Sequence, residues 1–252
     1  MAAAPAELAE ETTAYLPPRP TFERVDRGDL VYVAGPRSAI VSRVRVADVD
    51  EAVDWARAES RRRGLNETGW WVGWSATPAD VAERLLHLGL VPDEVPTLTG
   101  MTCETPPPAA DRVDVRPVET RAEHLEAIQV DWEVWNLGPD ERAERRRLEV
   151  ERFDEIQASG LVHHFSAFDG DRRVGFGRAI DLEQGVALMG GAVLADARGR
   201  GVYRALVRAR WDHAVARGTP LLVVQAGDMS APVLAGLGFR AHGVILLFTD
   251  RL

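Results

Sequence analysis

The sequence predicts a mixed α/β (α+β) fold made of two patterned regions. Strand-like segments alternate with capped amphipathic helices along the 252 residues, and a Pro-rich stretch lies between two such regions. The length allows one large domain or two ordinary ones, each with a sizeable core. We therefore predict a loose arm at 1–20, an N-terminal domain at 21–105, a linker at 106–111 and a second domain at 112–252. The alternative is a single domain in which the Pro-rich stretch is a surface loop.

The N-terminal region favours strands that alternate with two helices. β-branched and aromatic residues predict strands at 30–33, 39–46, 70–74 and 95–103. Asp48 or Asp50 caps the first helix, and Gly64 ends it. The second helix begins at Thr77-Pro78 and ends at Gly89.

The C-terminal region begins with a capping box, in which Thr120 precedes Glu123 by three residues. A charged helix follows from about residue 140 to 157. The turn 169–171 predicts a hairpin between two strands. The remaining segments are a continuous apolar strand at 186–194, a helix at 202–216, a strand at 220–226, a short helix at 230–238 and a last strand at 244–249.

The composition excludes several classes of chemistry. All 30 basic residues are Arg, so Schiff-base enzymes and the P-loop lysine are excluded. The single cysteine, Cys103, excludes an internal disulfide framework and a Cys-cluster zinc site. His163 and His164 are neighbours in a strand, so their rings face opposite sides and cannot share a metal, and we predict no metal site. The net charge of −9 argues against a nucleic-acid partner and favours a cationic one.

One turn carries the chemistry: Arg198, Gly199, Arg200 and Gly201 (the Arg-Gly turn) join the buried strand to the helix that begins at Val202. The first N–H groups of a helix have no partners within it, and the helix dipole makes that end positive. The turn is therefore predicted to cradle a phosphate, as helix N-termini commonly do. The alternative is a solvated basic turn.

The Arg-Gly turn and the residues around it resemble the Arg/Gln-x-x-Gly-x-Gly/Ala motif of GNAT-type N-acetyltransferases. The resemblance covers about residues 112–252 and implies a mainly antiparallel central sheet flanked by helices. The resemblance also implies that the N-terminal half is a smaller degenerate copy of the same fold. That half has a similar strand–helix pattern but no such turn. Acetyl-CoA is the cosubstrate that the resemblance implies, with a bulged strand pairing with pantetheine. The cofactor-binding residues implied are Val193, Leu194, Arg198, Gly199, Arg200, Gly201, Val202 and Tyr203.

The chain departs from the family at the catalytic groups. Leu234 occupies the position of the tyrosine that protonates the departing thiolate, and the apolar strand offers no glutamate. A carboxylate or histidine near the acceptor is the remaining class of base. We take Glu133 as the first candidate, because it lies beside Trp132 and Trp135, which share a helix face that we expect to pack inward. Asp228 and Ser230 are weaker candidates, and Gln225 could orient a ligand.

Together these observations predict acetyl transfer from acetyl-CoA to an amine, most simply of a small molecule, by direct attack. One alternative is a catalytically silent acyl-CoA-binding protein, and another is acetylation of a protein or peptide. No export signal or long apolar run is found, so we expect a cytoplasmic protein without a membrane partner. The sequence leaves monomer and homodimer open.

Overall fold

The computed structural model describes residues 3–19, 21–110 and 113–252. Residues 1, 2, 20, 111 and 112, at the ends of the predicted arm and linker, lie outside the described residues. The chain forms two compact units. Unit 1 comprises Met1–Thr102, Val224–Gly236 and Arg240–Leu252, and unit 2 comprises Cys103–Val223 and Leu237–Phe239.

Helices and strands follow one another in the mixed order that the sequence predicts. Up to the Pro-rich stretch the elements are α1 (Pro5–Glu10), α2 (Thr12–Tyr15), β1 (Glu23–Asp26), β2 (Val31–Ala34), β3 (Ala39–Ser42), α3 (Val49–Arg62), β4 (Glu67–Val72), α4 (Val81–His87) and β5 (Val91–Cys103). After it come β6 (Asp114–Pro117), α5 (Arg121–Val134), α6 (Pro139–Ser159), β7 (Val162–Asp169), β8 (Arg172–Asp181), β9 (Val186–Val193), α7 (Val202–Ala216), β10 (Leu222–Ala226), α8 (Ala231–Gly236) and β11 (Arg240–Arg251).

Unit 1 is built on strands in the order β1-β2-β3-β4-β11-β5. All neighbouring pairs are antiparallel except β3 and β4, which are parallel. Helix α3 packs on β4 and on α4, and the core between them contains fully buried Tyr32, Trp70 and Leu85. The Asp48 side chain accepts hydrogen bonds from two amides of the first turn of α3, as the capping prediction requires.

The last strand of the chain belongs to unit 1, whereas the predicted boundaries place it in the second domain. Strand β11 lies between β4 and β5, with Leu247 opposite Trp71 and Ile245 opposite Leu98. The hydrophobic pattern of a strand shows which faces are buried but not which neighbours it pairs with. The predicted second domain, 112–252, therefore does not correspond to one compact unit.

The predicted loose arm is also wrong, because residues 5–15 form α1 and α2. Pro5 occupies the first turn of α1, where the missing N–H costs nothing. Leu8 and Ala9 are buried, and Glu10 accepts a hydrogen bond from the backbone N–H of Ser75. A stretch of small alanines gives little hydrophobic signal by itself, so the burial of Leu8 could not be inferred from it.

We expect Leu8→Ala to lower the free energy of unfolding by about 2–5 kcal/mol, the usual cost of emptying a buried leucine site. Chemical denaturation measures the change. Leu86→Ala is the matched control, because Leu86 is 48% exposed on α4 and its truncation leaves no cavity. Equal stability of the two variants would show that α1 does not contribute to the core.

Unit 2 is built on the strand order β10-β9-β8-β7-β6. The pairs are antiparallel, as predicted, except that β9 and β10 are parallel. Gly170 and Asp171 form the predicted hairpin turn between Asp169 and Arg172, and the Thr120–Glu123 capping box is present. Helices α5 and α7 both pack on β8 and β9.

The Pro-rich stretch belongs to unit 2 and contacts helix α7. Pro107 is buried, and its carbonyl accepts a hydrogen bond from Arg208 of α7 at 3.1 Å. The division between the units falls between Thr102 and Cys103, a few residues before the predicted linker.

Candidate functional site

The Arg-Gly turn has a backbone conformation that favours glycine at two positions. Gly199 has φ = 74° and Gly201, the residue before α7, has φ = 85°. The first backbone bond of α7 runs from the Ala205 N–H to the Gly201 carbonyl, so the amides before Ala205 precede the helix's own ladder. A Cβ at Gly199 would contact nothing within 4 Å, so the space above the turn is open. These features fit the pyrophosphate cradle that the sequence predicts.

The two arginines of the turn have different contacts. The Arg198 Nε donates to the Val193 carbonyl at 3.2 Å, which ties the turn to the end of β9. The Arg200 guanidinium donates to Asp169 at 2.8 Å, and the side chains of Arg200 and Asp169 are each about half exposed. Val193, Leu194 and Val202 are buried, so their side chains support the turn and only their backbone groups are available.

Tyr203 lies along β9. A Cβ on Gly191 would come within 3.0 Å of the Tyr203 ring, so the ring lies close to this glycine. The sequence leaves open whether the Tyr203 side chain points into solvent or along the cofactor, and in the structure the ring lies against Gly191 of β9. Gly191 is thus required for close approach of the Tyr203 ring.

Strand β9 has the bulge that the resemblance implies. Gly177 pairs with Gly191 and Ala179 with Leu188, so Arg178 alone faces Met189 and Gly190. Gly190 has φ = 91°, which a residue with a side chain adopts only with strain. The bulge turns backbone groups of β9 out of the regular ladder.

A buried arginine from α7 holds this bulge. Arg210 is 1% exposed, and its Nη1 donates to the carbonyls of Gly190 at 3.2 Å and Arg178 at 3.3 Å. A Cβ on Gly177 would come within 3.2 Å of the Arg210 guanidinium, so this glycine makes room for it. Burial lowers the pKa of Arg210. The sequence does not distinguish Arg210 from the other arginines that are predicted to lie in helices.

The parallel pairing of β9 with β10 is short. Within unit 2 it comprises Leu222 with Val186 and Val223 with Ala187. The remainder of β9, from Leu188 onward, has no β10 partner among the described residues of this unit. Gly190 and Gly191 are exposed there, so the outward edge of the bulged strand can pair with an extended ligand.

The predicted base, Glu133, is exposed near the end of α5. The sequence analysis placed it beside two tryptophans that share an inward face, but only Trp132 is buried, and Trp135 is 63% exposed. Helix α5 ends at Val134, so Trp135 is its C-cap and leaves the packed face. The burial expected around Glu133 is therefore absent.

Asp131, two residues earlier on α5, is half-buried and so has the environment that was expected of Glu133. Burial raises the pKa of Asp131, although the charge of Arg178 and a hydrogen bond from Trp135 oppose the rise. Arg178, whose charge acts on this carboxylate, is the residue directly opposite the bulge of β9. The i, i+4 spacing of Asp131 and Trp135, which places the two residues on one helix face, is the sequence signal that could have indicated this contact.

A polar cluster lies beneath α5 and α6, next to Asp131. The fully buried His124 ring bonds to Glu149 at 2.9 Å, and Arg178 donates to His164 at 3.0 Å. Burial, together with the charge of Arg178, lowers the pKa of His164 well below its usual range. His164 is therefore a neutral acceptor, which fixes the direction of the Arg178 side chain.

The other predicted residues lie in unit 1. The Ser230 hydroxyl donates to the Gly227 carbonyl at 3.1 Å, so it stabilises the turn before α8. Gln225 donates to the Glu10 carbonyl at 2.8 Å, a contact with α1. Leu234, at the position of the usual acid, is fully buried. Asp228 belongs to the same turn as Ser230.

A second group of ionisable residues lies at the other end of unit 2. His163 and His213 both bond to the Asp181 carboxylate, at 2.9 and 2.8 Å. Burial raises the pKa of Asp181, but the two histidine donors outweigh it and hold the pKa below its usual range. His163 and His164 do face opposite sides of β7, as predicted. No sequence pattern indicates that His213 joins His163, because tertiary packing alone brings the two residues together.

Comparison with known proteins identifies the fold. Residues 125–239 match the model of the acetyltransferase (GNAT) family. The chain is similar to a solved tandem GNAT protein from the clavulanic acid biosynthesis pathway, with 14% identity and a TM-score of 0.62 over 93% of this chain and 84% of that chain. It is also similar to a GCN5-related N-acetyltransferase from Kribbella flavida, with 14% identity and a TM-score of 0.67 over 99% and 96% of the two chains. At these identities the likeness shows the fold, which is a tandem GNAT fold as predicted.

No curated protein sequence matches the chain. Among the described residues, no helix has the length and apolar character needed to cross a bilayer.

Proposed function

We propose that this chain, whose residues 125–239 match the model of the acetyltransferase (GNAT) family, acetylates an amine of a small molecule with acetyl-CoA as the cosubstrate. The observation that carries the proposal is the Arg-Gly turn at the start of α7, with its two left-handed glycines directly after the bulged strand β9. Open amides, the positive end of a helix and two guanidinium groups suit a pyrophosphate. The exposed edge of β9 suits the extended pantetheine chain that follows the pyrophosphate in acetyl-CoA.

The residues around the bulge suggest how the acceptor is activated. An alkylammonium has a pKa near that of lysine, about 10.4, so a base must remove its proton before attack on the thioester. We assign this role to Asp131, because its carboxylate is half-buried on α5, the helix that packs on β8 and β9. The charge of Arg178, whose guanidinium donates to His164, favours the ionised form of that carboxylate. Acetyl-CoA supplies the activated acyl carbonyl.

The acceptor class follows from charge. The chain carries 39 acidic and 30 basic residues, so a cationic amine is attracted over a long range. Amines of small molecules are the simplest members of this class. Protein and peptide amines belong to it as well and remain outcomes of the test.

A silent acyl-CoA-binding protein is the second candidate. It is favoured by Leu234, which is fully buried at the position of the usual acid, and by the apolar residues 187–189 of β9. In this case the cofactor turn works as a binding site only.

Thiol release from acetyl-CoA separates these candidates. The full chain is incubated with acetyl-CoA and a panel of small polyamines, aminoglycosides and peptides with free N-termini. We expect amine-dependent thiol release with a small-molecule amine. Acetyl-CoA binding without release with any amine would support the silent protein, and release with peptides alone would identify a peptide acetyltransferase.

The stoichiometry should be one acetyl-CoA per chain. The Arg-Gly turn belongs to unit 2, and the N-terminal half lacks a comparable sequence. Calorimetric titration measures the number of sites. Two sites per chain would show that the N-terminal half is not a degenerate copy.

We expect Arg198→Ala to weaken acetyl-CoA binding about tenfold at low ionic strength, the scale of one charge-assisted hydrogen bond. The loss should shrink at high salt, where screening already reduces the charge contribution. Arg62→Ala is the control, because it removes the same charge from an exposed side chain of α3. Unchanged affinity of Arg198→Ala at low salt would contradict a role for Arg198.

A further inference from the structure

Two histidine side chains from different elements of unit 2 meet at the carboxylate of Asp181. Asp181, at the end of β8, is 5% exposed. His163 from β7 and His213 from α7 each direct Nε2 at a different oxygen of that carboxylate, at 2.9 and 2.8 Å. The two imidazole rings lie with their centroids 4.1 Å apart. Packing of β7, β8 and α7 therefore holds two imidazoles and one carboxylate in a fixed arrangement.

We propose that His163, Asp181 and His213 form a binding site for a divalent transition metal ion, with Zn²⁺ as the best match. Two imidazole nitrogens and a carboxylate oxygen are ligands that Zn²⁺ takes in sites with three protein ligands. The three ligand atoms already lie within 4.8 Å of one another. Tetrahedral Zn²⁺ with bonds of about 2.0–2.1 Å needs ligand atoms ~3.4 Å apart, so small side-chain rotations suffice. The ion would replace the two hydrogen bonds between the histidines and Asp181.

The site is accessible and has room for a further ligand. His163 and His213 line a cavity of about 430 Å³. The same cavity is lined by Glu119 and Gln157, whose oxygens suit a metal or a metal-bound water. An ion in the cluster therefore keeps its fourth position open toward this cavity.

This site is separate from the Arg-Gly turn. His213 lies 12 residues after Gly201 on the same helix, which corresponds to about 18 Å along the axis. Metal binding would join the last turns of α7 to β7 and β8, and it does not depend on the proposed acetyl transfer. The two proposals can therefore fail independently.

Arg217 limits the affinity of the site. Its Nε lies 2.9 Å from an Asp181 oxygen, and its charge opposes a second cation. Its remaining contacts are with the carbonyls of Leu182 and Gly185, each at 3.3 Å, and with Thr219. Removal of this guanidinium should therefore strengthen metal binding. If the cluster were only a structural ion-pair network, the same removal would weaken that network and nothing would bind more tightly.

The test uses the untagged full-length chain, stripped with a chelator and titrated with Co²⁺, whose visible absorption reports tetrahedral coordination. We expect one Co²⁺ per chain, displaced by Zn²⁺. His163→Gln and His213→Gln should each weaken binding at least tenfold. His87→Gln, which changes an exposed histidine of α4, should leave the binding unchanged. Arg217→Gln should tighten binding several-fold.

A second readout does not depend on any variant. Zn²⁺ should raise the melting temperature of the wild-type chain, because it binds the folded state in preference to the unfolded one. Absence of saturable Co²⁺ and Zn²⁺ binding at about 100 µM in the wild type would overturn the proposal. Equal metal affinity in the wild type and in the His163→Gln/His213→Gln double variant would overturn it as well.

Discussion

Gly201→Val should abolish measurable acetyl-CoA binding, with at least a hundredfold loss of affinity, while the protein stays folded. Gly201 has φ = 85° and precedes the first turn of α7. A β-branched residue is a strong outlier in this region, so valine would turn the backbone out of the left-handed conformation. The amides that the turn presents would then no longer converge on one anion.

The structure changes the physical reason for this expectation. The sequence alone suggests that a Cβ at residue 201 would hold the phosphate away. In the structure the nearest atom to such a Cβ is Arg204 Nη2, at 3.2 Å, and this is the end of a flexible side chain. The backbone conformation, rather than a steric block, therefore decides the outcome.

Calorimetric titration of the wild type and the variant measures the loss, and circular dichroism confirms the fold. Gly218→Val is a matched control, because Gly218 has φ = 77° after the other end of α7. It should lower stability by a similar amount, about 1–3 kcal/mol, without loss of cofactor affinity. A folded Gly201→Val variant with unchanged affinity would remove the Arg-Gly turn from the binding site.

Local features were predictable from the sequence. The Thr120 capping box, the Asp169–Arg172 hairpin and the turn before α7 each depend on a few adjacent residues. Turn and cap chemistry is set within about four residues, so it can be inferred without knowledge of the fold. The bulge of β9 came from the family resemblance rather than from periodicity.

Features that depend on tertiary packing were not predictable. Strand β11 belongs to unit 1 because it pairs with β4 and β5, and the sequence of β11 alone does not specify these neighbours. Arg210 and His213 lie on one helix, yet the first holds the β9 bulge and the second bonds to Asp181. Asp131 and Glu133 both lie within α5 but on different faces, and the packing of the helix decides which face is buried.

Asp131→Asn should lower turnover by about a hundredfold, a typical contribution of a general base, with little change in acetyl-CoA affinity. Asparagine keeps the size of the side chain and can still contact Trp135, but it cannot accept a proton from the acceptor. The cofactor turn is formed by other residues, so binding and turnover should separate.

The pH dependence gives an independent readout. Burial raises the pKa of Asp131, and the base acts only in its ionised form. Activity of the wild type should therefore fall as the pH drops through this raised pKa. In Asp131→Asn the low residual rate should lack this acidic limb.

Glu133→Gln is the matched comparison, because Glu133 is exposed two residues further along α5. If Asp131 is the base, Glu133→Gln should change turnover by less than about twofold, as an exposed substitution usually does. A hundredfold loss in Glu133→Gln with an active Asp131→Asn would instead support Glu133 as the base, as first predicted from the sequence. If both variants keep full activity and the same pH profile, neither carboxylate of α5 is the base, and Asp228→Asn becomes the next variant to measure.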